Sequence, residues 1–105
     1  MDVQKVQRTV VVTNPQGLHA RPAEMFVRLA RQFESRIELD RDGRRVEATN
    51  IIDLLTLGAA KGTELVLVAE GSDAQDAVDA LAKLVDSGFH QEEAGQVQTQ
   101  TEEKK

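Results

Sequence analysis

Arg36-Ile37-Glu38-Leu39-Asp40-Arg41-Asp42-Gly43-Arg44-Arg45-Val46-Glu47-Ala48 sets the architecture of this chain. Ile37 and Leu39 alternate with polar neighbours from Arg36 to Asp40, the period-two pattern of a strand with one buried face. Asp42-Gly43 is a strong two-residue hairpin signal, because the turn that matches strand twist needs positive φ at both positions. A second strand, Arg44 to Ala48, follows it. Strands that alternate in this way build a sheet covered on one face only, so helices should pack on a single side.

Upstream of the hairpin, Pro22, Phe26, Leu29, Ala30 and Phe33 recur at helical spacing and predict a helix over residues 20–33. Thr9-Val10-Val11-Val12-Thr13 is β-branched throughout and reads as a strand. Asn14-Pro15-Gln16-Gly17 punctuates the two. Downstream, Asn50 reads as a helix cap, with Asp53 as a box-like partner. That helix is short, Ile51 to Leu57, and Gly58 suits its end. Lys61-Gly62-Thr63 turns the chain into the most apolar strand, residues 64–69. Ser72 with Gln75 reads as a second capping box. It opens a helix with Ala74, Ala77, Val78, Leu81, Leu84 and Val85 on one stripe, ended by Gly88. The order is strand, helix, strand, strand, helix, strand, helix, an α+β domain.

The chain has 105 residues, room for one domain and not two. With few aromatics, its core must come from Val, Ile, Leu and Ala. There is no cysteine, hence neither a disulfide frame nor a thiolate metal site, which is compatible with a reducing cytoplasm. The first residues carry no signal-peptide pattern. No apolar run approaches the roughly 20 residues that span a bilayer, so no membrane insertion is expected. Net charge is −5, against the basic surplus of a nucleic-acid binder. Residues 1–90 are expected to form the domain, and 91–105, a polar and acidic tail, to be disordered.

Chemistry concentrates at Asn14-Pro15-Gln16-Gly17-Leu18-His19-Ala20-Arg21-Pro22-Ala23. His19 falls where a loop ends and a helix begins, and Pro22 suits the first turn. The first amides of a helix lack partners inside it, and that end carries partial positive charge. A phosphate on His19 would sit in this anion site, against the backbone of Ala20 and Arg21. The Arg21 guanidinium would add charge-assisted hydrogen bonds worth about 1.5–3 kcal/mol. Without an anion, a cation there is slightly unfavourable. A nucleophilic imidazole beside an anion cradle points to a histidine that accepts and donates phosphoryl groups.

Arg28 and Arg31 share a helical face with Arg21. They either steer acidic partners or form a solvated face with a Glu24–Arg28 helix pair. If Leu54 and Ile51 face the core, Ile52 and Leu55 point partly outward and offer an apolar docking patch; the other reading makes all four core. His90 lies beyond Gly88 and reads as solvated. Two distant histidines without cysteine give no metal-ligand spacing, and no cofactor is expected.

Gly17-Leu18-His19-Ala20-Arg21-Pro22-Ala23 resembles the active-site motif of the HPr family, the histidine-containing phosphocarriers of the bacterial phosphotransferase system. The resemblance continues through Glu47-Ala48-Thr49-Asn50-Ile51-Ile52-Asp53-Leu54-Leu55-Thr56-Leu57-Gly58-Ala59-Ala60-Lys61-Gly62 and reaches Phe89. Asp86-Ser87-Gly88-Phe89 is similar to the nitrogen-branch members. The resemblance implies an open-faced β-sandwich, a four-stranded antiparallel sheet with three helices on one face. It implies phosphorylation of His19 at Nδ1 by enzyme I, which draws on phosphoenolpyruvate, and transfer to an enzyme IIA domain. Arg21 would contact the phosphate. Arg28, Arg31, Ile51, Ile52 and Leu55 would meet partners, with the carrier a cytoplasmic monomer. Where many members carry a regulatory serine, this chain has Asn50, which caps a helix equally well but offers no hydroxyl to phosphorylate. A regulator that docks according to the state of His19 is the alternative function, and a small-molecule-binding α+β domain a third.

Overall fold

The computed structural model describes residues 3–89. The tail 91–105 and His90, the subjects of two sequence expectations, lie outside the described residues. Seven elements run in the expected order: β1 (Gln4–Val11), α1 (Ala20–Ala30), β2 (Arg36–Arg41), β3 (Arg44–Glu47), α2 (Ile51–Thr56), β4 (Glu64–Gly71) and α3 (Ala74–Asp86). The four strands form one antiparallel sheet in the order β1-β4-β2-β3.

The hairpin forms as its sequence dictates. Asp42 and Gly43 have φ of +51° and +91°, and the Gly43 N–H donates to Asp40 Oδ1 at 2.8 Å. Ile37, Leu39 and Val46 point into the core, opposite Ala69, Leu67 and Leu39 in the ladders. Leu65 and Val10 extend the same inner face, which α1, α2 and α3 cover with Phe26, Leu54, Leu81 and the rest of the α3 stripe. On the outer face Arg36 bridges Glu38 and Glu47 at 3.2 and 3.3 Å, while Arg45 bridges Glu38 and Asp40 at 3.5 and 3.4 Å.

Several expectations change. β1 begins at Gln4, five residues earlier than the β-branched run, and ends at Val11. Gln4 to Arg8 are polar except Val6, as suits an edge strand, yet each has a β4 partner from Gly71 to Leu67. Arg8 even lies on the covered face, where its guanidinium pairs with Asp79 of α3 at 3.1 Å. β4 runs on to Gly71 to complete that ladder. α1 stops at Ala30 and not at Phe33: Gln32 N and Phe33 N fall back to three-residue turns on Leu29 O and Ala30 O at 3.0 and 3.2 Å, and Asp73 takes the amides beyond them, accepting from Glu34 N and Ser35 N at 2.9 Å each and from Ser35 Oγ at 2.5 Å. β3 and α2 each end one residue early, at Glu47 and Thr56.

The Ser72–Gln75 capping box does not form. Asp73 is the N-cap of α3, its carboxylate turned to the α1–β2 connection, and Gln75 Nε2 donates to Asp79 Oδ1 at 3.0 Å. The α2 cap does form, with Asn50 Oδ1 accepting the Asp53 N–H at 3.2 Å. The core is also less purely aliphatic than composition implies. Phe26, Phe89 and Met25 are all buried in it. Full burial of Phe26 alone stabilises the fold by roughly 1.5–3 kcal/mol.

Candidate functional site

The loop before α1 is shaped by the loop after α2. Val12 donates to Thr63 O at 3.0 Å and accepts from Gly62 N at 2.7 Å, which ends β1 and turns the chain. Gly17 N donates to Asn14 O at 3.0 Å, closing a turn around Pro15-Gln16. Gly17 has φ of +74°, and a Cβ there would lie 2.5 Å from Ala59 O and 2.8 Å from Ala60 Cα. Leu18, buried beside it, donates its N–H to the same Ala59 O at 2.8 Å. Only glycine permits two backbones to close this tightly.

His19 emerges from that contact as the N-cap of α1, in extended conformation and solvent-exposed. Its carbonyl accepts from Ala23 N at 2.9 Å, the first rung of the helix. Pro22 has no N–H, so Ala20 and Arg21 supply the leading amides. No acidic residue stands in the first turn to compete for them. His19 and Arg21 share a depression of about 310 Å³, whose other walls are Asn14, Pro15, Gln16, Pro22, Met25, Gly88 and Phe89. The last two arrive from the far end of the chain. Gly88 N donates to Val85 O and Phe89 N to Leu84 O, both at 3.0 Å, the paired bonds of a Schellman motif that folds Phe89 back under the site.

Arg28 and Arg31 do not gather at the histidine as Arg21 does. Arg28 is exposed and pairs with Glu24 at 3.2 Å. Arg31 reaches the other way, donating to Thr49 O at 3.1 Å just before α2. Neither lines the depression. On α2, Leu54 is fully buried and Ile51 half-buried against the core, while Ile52 is 64% and Leu55 37% exposed. Asn50 caps one end of this helix. At the other, Arg41 Nη1 donates to Leu57 O and Gly58 O at 2.6 and 3.0 Å, and Arg44 Nη2 to Thr56 Oγ1 at 2.9 Å. Two apolar side chains thus stand on a short helix clamped at both ends.

The profile of the family described as "PTS HPr component phosphorylation site" matches residues 6–87. The chain belongs to the HPr family. Phosphocarrier protein HPr of Treponema pallidum is 42% identical over 87 residues, 83% of this chain and 99% of that protein. HPr-like protein Crh of Bacillus subtilis is 44% identical over 80 residues, 76% of this chain and 94% of Crh. A crystal structure of Crh, described as a domain-swapped dimer, superposes with a TM-score of 0.65 at 43% identity, covering 78% and 94% of the two chains. HPr of Thermoanaerobacter tengcongensis superposes with a TM-score of 0.78 at 39% identity, covering 80% and 94%.

An HPr-family phosphocarrier of the phosphotransferase system therefore explains both the fold and the two sequence motifs. Among the described residues no helix is long and apolar enough to cross a membrane, and no group of three or more His, Asp or Glu could hold a metal ion. Sequence reading missed three walls of the depression. Asn14 looked like turn punctuation, Met25 like part of the helix, and Phe89 like a residue past a helix stop. No local signal marks Phe89, because α3 meets α1 only in the tertiary fold.

Proposed function

We propose that this protein carries a phosphoryl group on His19, taken from enzyme I at the expense of phosphoenolpyruvate and handed to an enzyme IIA domain. The observation that supports it best is the exposed imidazole at the start of α1, in one depression with Arg21 and free of first-turn carboxylates. The neutral ring attacks the phosphorus of the donor's phosphohistidine through Nδ1. The new N–P bond forms as the old one breaks, and the donor nitrogen keeps the electron pair. The Ala20 and Arg21 amides and the Arg21 guanidinium hold the phosphoryl oxygens, so catalysis is positioning and charge stabilisation. Ile52 and Leu55, with Ile51 behind them and Arg28 and Arg31 alongside, meet the partners. Residues 1–90 are the carrier domain, working as a monomer in the cytoplasm. Enzyme I with phosphoenolpyruvate should label the wild type with acid-labile phosphate and leave His19→Ala unlabelled; label persisting in that variant overturns the assignment.

A second reading is a regulator that docks according to the state of His19. The 44% identity to Crh favours it, since the Crh structures are described in terms of catabolite repression. Asn50 offers no hydroxyl for a kinase, so a regulator built on this chain would depend on the histidine. Pull-downs with phosphorylated and unphosphorylated protein discriminate. A regulator retains, in one state only, a partner other than enzyme I or enzyme IIA.

A further inference from the structure

Asn14 carries a polar atom that the fold leaves unused. The residue is 9% exposed, and its Nδ2 donates to Gly17 O at 2.7 Å, which fixes which end of the carboxamide is nitrogen. The Oδ1 at the other end is buried and has no hydrogen-bond partner among the described residues. A buried acceptor without a donor is uncommon and costly, and such atoms mark strain or chemistry. The loop does not require this oxygen, because its turn is already closed by Gly17 N on Asn14 O.

His19 is tied to the same turn. Its N–H donates to Gly17 O at 2.9 Å, the same carbonyl that the Asn14 carboxamide binds. The carboxamide therefore lies within two hydrogen bonds of the His19 main chain, and both residues border the depression. A neutral imidazole that attacks through Nδ1 must carry its proton on Nε2. No proton moves as the N–P bond forms, and the ring becomes cationic, so its remaining N–H turns into a stronger donor.

We propose that Asn14 Oδ1 accepts the His19 ring N–H when the phosphoryl group arrives, and that Asn14 is thereby a positioning residue for the transfer. The acceptor stabilises the charge that develops on the ring. Its unmet valence in the resting protein tilts the transfer equilibrium toward the phosphorylated form. This inference rests on the phosphohistidine reading of His19.

The test loads the full-length protein with phosphoramidate, a chemical donor that needs no enzyme I, and follows phosphohistidine hydrolysis against pH by 31P NMR. Protonation of the second ring nitrogen makes imidazole the better leaving group, so the profile follows that proton. Asn14→Asp and Asn14→Leu both lose the bond to Gly17 O, but only Asp keeps an acceptor. The midpoint should move up in Asn14→Asp and down in Asn14→Leu by about one pH unit, the shift one hydrogen bond of ordinary strength produces. Shifts of the same sign in both variants make Asn14 a loop anchor alone and overturn the proposal. Should either variant fail to fold, the phosphorylated wild type decides: a slowly exchanging ring N–H with contacts to the Asn14 carboxamide supports the proposal, and its absence overturns it. Wild type that takes phosphate from phosphoramidate but never from enzyme I would defeat the carrier reading and leave this one standing.

Discussion

Gly17→Ala tests whether the backbone contact behind His19 holds the site in place. The substitution forces an L-residue to φ of +74°, which costs about 1–2 kcal/mol. Its Cβ would also meet Ala59 O at 2.5 Å and Ala60 Cα at 2.8 Å, atoms of main chain that cannot swing aside. The two loops must part, and the Leu18–Ala59 hydrogen bond of 2.8 Å weakens at a further cost of about 0.5–1.5 kcal/mol. Together these give about 1.5–3.5 kcal/mol, or a fall in Tm of roughly 6–28 °C for a domain of this size. Gly62→Ala is the control: its φ is +92°, but nothing lies within 4 Å of the added Cβ, so it bears the conformational cost alone. Thermal unfolding by circular dichroism should rank Gly17→Ala clearly below Gly62→Ala. Below its own transition, Gly17→Ala should also accept phosphate at least about tenfold more slowly, because displacements of an ångström are expensive in positioned chemistry. Equal Tm values for the two variants would refute the buttress, and an unchanged transfer rate would separate it from function.

Arg21→Ala should slow transfer or shorten phosphohistidine lifetime by about 10- to 100-fold, the worth of one charge-assisted contact, with little change in Tm because the side chain is exposed; unchanged kinetics would mean the amides alone hold the phosphate. Ile52→Glu should weaken binding to enzyme I by tenfold or more in titration calorimetry while leaving thermal stability nearly intact, since the side chain is 64% exposed. Asp73 is held below the usual carboxylate range, chiefly by the Ser35 hydroxyl and then by the Glu34 N–H. Its folded pKa is thus below its unfolded one, so its contribution is complete above the ordinary carboxylate range and disappears as pH falls through the lowered value. Asp73→Asn should flatten that acid limb of the stability curve, and an unchanged limb would assign it to other carboxylates.

The elements with strong local grammar were readable. Asp42-Gly43 carries its own turn geometry, the α3 stripe has one unbroken period, and Asn50 caps the helix it precedes. His19 stood out because loop, helix start and arginine follow within a few residues. What stayed hidden depends on residues remote in sequence. The polar half of β1 becomes a strand because β4 offers eight partners in register. The segment after α1 is tied to Asp73, about forty residues away, which also stands as N-cap of α3 in place of Ser72. Phe89 reaches the depression only because α3 packs beside α1. Asn14 is recognisable as a turn residue, but an unsatisfied oxygen is a property of the folded chain.

The six residues of α2 are too few to hold a helix by themselves in water. Here Asn50 seals the front, Arg41 grips the trailing carbonyls and Leu54 plugs into the interior. Ordering is therefore complete in the free chain, and under the proposed docking Ile52 and Leu55 would meet a visitor as a preset print. An encounter on such a surface loses little chain entropy, so it can be selective and still brief. For a carrier that, as proposed, must let go of one protein before meeting the next, brevity of contact would be as much a requirement as recognition.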